Sequence, residues 1–173
     1  VALGNAGEKG DFRKEAGDLF AQFSNTNPKQ LFDEGLKELN ITPAQVKLKL
    51  TVDEKGTGKK EAEFYQAQWK EKLGIDVEVE VLTTKERIAR AKAGEFDIVR
   101  YGWGPDYADP MTYLEIFHSK SKDLNFAKYS NPKYDELIDL AKVNQDNKTR
   151  MDAMKQAEKL LADDFTYSAI YYQ

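Results

Sequence analysis

The sequence predicts an α/β fold in which a mixed sheet is flanked by helices. Residues 46–52, 77–81 and 96–101 have the apolar and β-branched character of strands, and residues 59–73 and 84–93 between them have helical patterns. Helices that cross over between successive strands favour a parallel or mixed sheet with helices packed on it. At 173 residues, 40% of them hydrophobic, the chain is long enough to bury a core.

The N-terminal residues 1–27 are rich in glycine, asparagine and charged residues and show little periodicity. We therefore expect an irregular arm that packs on the rest of the chain, and a single α/β domain at residues 28–173. The first helix of this domain is expected to start at Asn27 and Pro28 and to run to about Leu39. Asparagine is a good N-cap, and proline suits the first helical position.

The two strands at 46–52 and 77–81 alternate between apolar and polar residues, which is typical of half-buried strands. The helix between them carries Trp69 at helical spacing from other apolar residues, so we expect Trp69 in the core. Gly74 is expected to end this helix, because glycine adopts the left-handed conformation common at helix C-termini.

Residue patterns in the C-terminal third predict a short helix at 110–117, two longer helices at 132–144 and 148–163, and a final strand at 167–172. A polar loop separates the first two of these helices. We expect His118, the one histidine of the chain, to be solvated at the start of this loop.

The connection between the third strand and the next helix is the best candidate for a functional site. It holds aromatic, acidic and glycine residues, and ligands of α/β proteins bind at the carboxyl ends of strands on such connections. Asp109 and Pro110 that follow have the pattern of an N-cap and a first helical residue. The candidate ligand-binding residues are Arg100, Tyr101, Gly102, Trp103, Asp106 and Tyr107.

Composition excludes several functional classes. The net charge of −4 argues against a nucleic-acid partner, and no apolar run approaches the roughly 20 residues that span a membrane. The absence of cysteine excludes disulfides and thiolate metal sites. We predict no catalytic residue, metal or cofactor, since the chain lacks a Gly-x-Ser-x-Gly, zinc or phosphate-loop motif.

Several blocks, taken in order, resemble the oligopeptide- and dipeptide-binding proteins of bacterial ABC importers, which form extracellular solute-binding protein family 5. The strongest is Gly-Glu-Phe-Asp-Ile-Val-Arg-Tyr-Gly-Trp-Gly-Pro-Asp-Tyr-Ala-Asp-Pro at residues 94–110. The others lie at 11–17, 27–36, 69–79, 129–138 and 170–172.

The resemblance implies one lobe of a type II periplasmic-binding-protein-like fold, the second of two lobes that close on a peptide. We expect the sequence to be a piece of a longer chain, with the first lobe absent. The resemblance also implies that Asp106 pairs with the peptide α-ammonium, that Trp103 packs on the ligand, and that Arg100 helps to hold its carboxylate. The histidine-like carboxylate partner of some relatives is not evident in residues 56–59.

The expected function is capture of extracellular peptides for import, together with ABC permease subunits. The location that the resemblance implies is the periplasm, or a lipid anchor at the outer face of the cell membrane. From the residues alone, Arg100 is equally consistent with a structural salt bridge. The alternatives are a non-catalytic interaction domain, a lobe for another small ligand such as a nickel complex, haem or sugar, and a hydrolase that uses Asp106 and Asp109.

Overall fold

A computed structural model describes residues 1–171 of the chain. The chain divides into two compact units. The sheet unit is Asn25–Gly102, and the helical unit joins Val1–Ser24 to the segment that begins at Trp103. The division expected from the sequence, an arm at 1–27 and one domain at 28–173, stays a prediction.

Ten helices and strands are numbered in chain order. They are α1 (Phe12–Ala16), α2 (Pro28–Leu39), β1 (Leu48–Asp53), α3 (Gly58–Leu73), β2 (Val77–Leu82), α4 (Thr84–Ala93), β3 (Ile98–Val99), α5 (Met111–Leu114), α6 (Pro132–Val143) and α7 (Asn147–Asp163). Short 3-10 turns lie at Ala21–Phe23, Pro43–Gln45 and Glu115–Phe117.

The sheet unit is built on three parallel strands in the order β2-β1-β3. Leu50 of β1 lies opposite Val79 of β2 and Ile98 of β3, which fixes the register. The sequence predicts a mixed sheet, and the strands within residues 1–171 are all parallel. Each strand is joined to the next by a helix, as parallel pairing requires. The predicted α/β class, a sheet flanked by helices, is confirmed.

The core of the sheet unit lies between the sheet and its helices. Leu50, Val52, Ala62, Ile75 and Val77 are buried in one cluster. Trp69 is partly buried and packs against this cluster, which agrees with its predicted place in the core.

The predicted helix signals of the sheet unit are confirmed. The Asn27 side chain accepts hydrogen bonds from the backbone N–H groups of Lys29 and Gln30 at the start of α2. Gly74 ends α3 with φ of 75°, a left-handed conformation that suits glycine.

The helical unit has a core in which α6 and α7 pack on each other. Phe12 of the N-terminal segment and Tyr134 of α6 are both fully buried there. The Tyr134 hydroxyl donates a hydrogen bond to the backbone carbonyl of Leu114 at 2.6 Å. The N-terminal residues are therefore part of this core through Phe12.

The predicted strand at 167–172 is wrong over its described part. Residues 167–171 have no strand pairing, and Tyr172 lies outside the described residues. The third strand is also shorter than expected, with two residues instead of six. Within the described 1–171, every helix is too short or too polar to cross a membrane.

Candidate functional site

The candidate connection is divided between the two units, because the chain passes from one to the other after Gly102. The candidates therefore fall into two groups of three. Arg100, Tyr101 and Gly102 belong to the sheet unit. Trp103, Asp106 and Tyr107 belong to the helical unit.

In the sheet unit, a polar network lies at the carboxyl end of β1. The Asp53 carboxylate accepts hydrogen bonds from the Lys55 backbone N–H at 2.9 Å and from the Thr84 hydroxyl at 3.1 Å. The Nε of Arg87 lies 3.4 Å from the same carboxylate. The Lys55 hydrogen bond is the main reason why the pKa of Asp53 lies below its usual value.

Arg87 links this network to the candidate segment. It lies on α4 and is only 8% exposed. Its Nη1 donates to the Arg100 carbonyl at 3.3 Å, and its guanidinium carbon lies 4.8 Å from the centroid of the Tyr101 ring. The sequence reasoning missed Arg87. The sequence signal for its burial was its four-residue spacing from Ala91, which places both residues on one face of α4.

Arg100 forms a salt bridge within the sheet unit. Its Nε donates to Oε2 of Glu61 on α3 at 2.5 Å, and both side chains are about four-fifths buried. The Arg100 backbone N–H donates to the Thr51 carbonyl at 3.0 Å, which continues the pairing of β1 with the end of β3. The salt bridge that the sequence left open is therefore present. No local sequence pattern indicates Glu61 as its partner.

Gly102 and Gly104 do not adopt the left-handed conformation that only glycine tolerates well. A Cβ atom added at either position would have no heavy atom of residues 1–171 within 4 Å, apart from its neighbours in the chain. The described residues therefore leave open space beside the backbone at these two positions.

In the helical unit, the two acidic residues of the connection have different environments. Asp106 is exposed and its backbone N–H donates to the Thr112 hydroxyl at 3.0 Å. Its carboxylate makes no hydrogen bond or ion pair with any residue in 1–171. The Asp109 carboxylate accepts from the Met111 N–H at 2.8 Å and from Arg150 at 2.7 Å. The helix begins at Met111 with Pro110 as its N-cap residue, one position later than predicted, and the Asp109 side chain still binds a backbone N–H of the first turn.

The aromatic candidates of the helical unit are both partly accessible. Tyr107 is 43% exposed and its hydroxyl donates to Glu115 at 2.5 Å. Partial burial and this hydrogen bond raise the pKa of Tyr107 above its usual value. Trp103 is half-buried, and its indole N–H has no hydrogen-bond acceptor among the described residues.

His118 is buried, so the expectation of a solvated side chain is wrong. The loop turns back onto α6, where Nε2 of His118 lies 3.3 Å from Asp139. The Lys120 N–H donates to Nδ1 of His118 at 3.0 Å. Asn125 holds the loop through hydrogen bonds to the backbone of Tyr129 at 2.8 and 3.0 Å. The contact with Asp139 involves another element, which a polar local sequence does not reveal.

The geometry does not support paired-carboxylate chemistry at Asp106 and Asp109. Paired catalytic carboxylates need both groups available to a substrate, and the Asp109 carboxylate is bound to Arg150. Over residues 1–171, no group of three or more histidine, aspartate or glutamate side chains is placed to hold a metal ion.

Within the helical unit, the connection has an exposed carboxylate without a partner in residues 1–171 and partly exposed aromatic side chains, which suit the binding of a small ligand. Solved structures that share this fold include substrate-binding proteins of ABC transporters. A crystal structure described as a peptide-binding protein of a peptide ABC transporter superposes with a TM-score of 0.85 at 30% identity, covering 96% of this chain and 74% of that one.

The family model described as bacterial extracellular solute-binding proteins, family 5 Middle, matches residues 4–125, and the chain belongs to this family. The chain is 35% identical over 162 residues to the dipeptide-binding protein DppE of Bacillus subtilis, covering 94% of this chain. It is 30% identical over 146 residues to the oligopeptide-binding protein OppA of the same organism, covering 83% of this chain. It spans 29% and 27% of the lengths of these two relatives. Such relatives are solute-binding proteins and not enzymes.

Proposed function

We propose that this chain is part of the substrate-binding component of a bacterial ABC importer for peptides, in which Asp106 binds the α-ammonium group of the peptide. Family membership and relatives named for dipeptides and oligopeptides support the ligand class. The observation that carries the role of Asp106 is its exposed carboxylate, which has no partner among residues 1–171.

A peptide terminus explains why an unpaired carboxylate is useful at this position. Every unmodified peptide has an α-ammonium group, and burying that charge without a partner costs several kcal/mol. A protein that accepts many sequences gains by fixing the terminus and the backbone, which all peptides share. Asp109 does not compete for this role, because Arg150 and the Met111 N–H already bind its carboxylate.

The remaining candidates support contact with the peptide chain and its side chains. The open space beside Gly102 allows close approach of a peptide backbone. The exposed rings of Tyr101 and Tyr107 offer apolar surface with a polar group at one end. Trp103 carries a buried N–H that finds no acceptor among residues 1–171. An unpaired buried donor costs about 1–3 kcal/mol, so a ligand acceptor would remove this cost.

The wider biological role is proposed from the family. The chain would act as one lobe, with the arm at 1–27 packed on it, and a further lobe of the same protein would close over the peptide. ABC permease subunits would receive the peptide. The protein would act outside the cytoplasm, in the periplasm or held at the outer face of the membrane by a lipid anchor.

The test compares two forms of one peptide, with a free or an acetylated N-terminus, on the full-length protein that contains this chain. Wild-type protein is expected to prefer the free N-terminus. The Asp106→Asn variant should bind the free form roughly 10- to 100-fold more weakly and the acetylated form almost unchanged, as expected for one lost charge-assisted hydrogen bond. Isothermal titration calorimetry measures both affinities.

Asp109→Asn is the matched control, because it removes the same charge three residues away. It is expected to lower stability through its lost contacts with Arg150 and leave the preference for a free N-terminus in place. An equal loss of both peptide forms in Asp106→Asn, in protein with wild-type circular dichroism, would show that Asp106 does not bind the terminus.

A further inference from the structure

The Arg100 guanidinium, the cation expected to bind a peptide C-terminal carboxylate, already forms a salt bridge with Glu61. The Nε edge of the Arg100 guanidinium donates to Glu61 at 2.5 Å. The two side chains are 21% and 18% exposed, so water screens this pair less than a surface pair. Glu61 is also held from its other side by the Thr57 hydroxyl. The pair is therefore a fixed part of the sheet unit.

A guanidinium recognises a carboxylate best when it offers two parallel N–H groups and an uncompensated positive charge. In this chain an internal carboxylate already neutralises that charge. A peptide carboxylate that approached Arg100 would meet the negative charge of Glu61 as well, and displacing Glu61 would break a salt bridge between two largely buried side chains. Both effects cancel most of the gain from binding a peptide C-terminus.

We infer that Glu61 is a specificity-determining residue, which makes the site indifferent to whether the peptide C-terminus carries a free carboxylate. The inference rests on the proposed peptide-binding function. The ligand class that follows is peptides selected at the N-terminus and along the backbone, including long peptides and those with a blocked C-terminus. Arg100 then serves as a structural residue that holds β1, α3 and the end of β3 together.

The experiment uses the full-length protein and one peptide with a free N-terminus, made as the C-terminal acid and as the C-terminal amide. In wild-type protein the two affinities are expected to agree within about threefold. In Glu61→Gln, which keeps the size of the side chain but removes its charge, the acid should bind roughly tenfold more tightly than the amide. The double variant Glu61→Gln with Arg100→Gln should return to the wild-type ratio.

Glu63→Gln is the matched control on the same helix. Glu63 is exposed and pairs with Lys59 at 3.8 Å, so this variant is expected to keep the wild-type ratio of acid to amide affinity. The single variant Arg100→Gln gives a second test that does not depend on how Glu61→Gln folds. It should change the affinity of both peptides equally.

Three results overturn the inference alone: a wild-type preference of tenfold or more for the acid, an unchanged ratio in Glu61→Gln, or a loss in Arg100→Gln that affects only the acid. A wild-type protein that binds neither peptide overturns the proposed function, and this inference with it. Because the N-terminal preference is measured separately with the acetylated peptide, the two failures are distinguishable.

Discussion

Arg87 offers the sharpest test of how the sheet unit holds the candidate segment. Its guanidinium contacts Asp53, the Arg100 carbonyl and the Tyr101 ring, and only 8% of the residue is exposed. Arg87→Met removes the charge and the hydrogen bonds and keeps most of the packing of the aliphatic stem. We expect the segment that follows β3 to open more easily in this variant.

The magnitude follows from the three contacts. Hydrogen bonds to charged groups contribute about 1.5–3 kcal/mol at good geometry, and the distances of 3.4 and 3.3 Å place both at the low end or below. A cation–π contact with a partly exposed ring adds about 0.5–1 kcal/mol. Since neighbouring contacts are not additive, the expected loss for Arg87→Met is about 2–3 kcal/mol.

Native-state hydrogen exchange measures this loss at the right place. The Arg100 amide donates to the Thr51 carbonyl, so its exchange reports the opening of β3 from β1. Arg90→Met is the matched control on the same helix. Arg90 is 43% exposed and pairs with Glu80 at 2.9 Å, and an exposed pair contributes about 0.2–1 kcal/mol.

The two variants should therefore differ by at least about 1 kcal/mol in the opening free energy of the Arg100 amide. Equal losses in Arg87→Met and Arg90→Met, within about 0.5 kcal/mol, would refute the claim that the buried guanidinium holds this segment. The claim would also be refuted if Arg87→Met lowered the opening free energy only at amides of α4 and left that of the Arg100 amide unchanged.

Two further predictions concern the helical unit. Tyr134→Phe removes the buried hydroxyl that donates to the Leu114 carbonyl at 2.6 Å. Because that carbonyl loses its hydrogen bond, the free energy of unfolding measured in urea should fall by about 1–3 kcal/mol. A decrease below about 0.5 kcal/mol would contradict this prediction. Glu15 accepts three backbone N–H groups, from Lys9, Glu8 and Gly10. Its pKa is lowered from 4.5 to about 2, chiefly by the hydrogen bond from Lys9 and then by that from Glu8. Because the folded-state pKa is depressed, its stabilisation is complete above pH 4.5 and is lost as the pH falls through about 2. An NMR titration should give a carboxyl midpoint near 2 that Glu15→Gln abolishes, and a midpoint near 4.5 would show that these hydrogen bonds do not form.

Local patterns predicted most of the fold. The helix expected at 84–93 has those bounds, and the helix expected at 59–73 begins one residue earlier. These elements carry their own start and stop signals, such as the capping box of Thr83 and Glu86 and the terminal Gly94. The predicted strand at 167–172 had the right composition, but a strand also needs a partner strand to pair with, and composition does not supply one.

The parts of the candidate site that the sequence did not predict depend on distant partners. Arg87 meets Asp53 from 34 residues away, and Arg100 meets Glu61 from 39 residues away. His118 is buried although its loop is polar, and its ring nitrogens lie 3.6 Å from Asp135 and 3.3 Å from Asp139 of α6. Hydrophobic periodicity records which face of an element is buried, and it contains no information about which charges meet.

Asp106 and Asp109 show why such partners decide function. They lie three positions apart in one connection, and the sequence offers both as a possible pair of catalytic acids. Arg150, 41 residues beyond Asp109, binds one carboxylate and not the other. A charge that is already paired within the fold gains little free energy by binding a ligand of opposite charge, whereas an unpaired charge can still form a favourable ion pair with it. The same reasoning separates the two ends of the proposed peptide. Asp106 remains available to an ammonium group, and Arg100 is already bound to Glu61, so the proposed selectivity at the N-terminus and the proposed tolerance at the C-terminus have one physical origin.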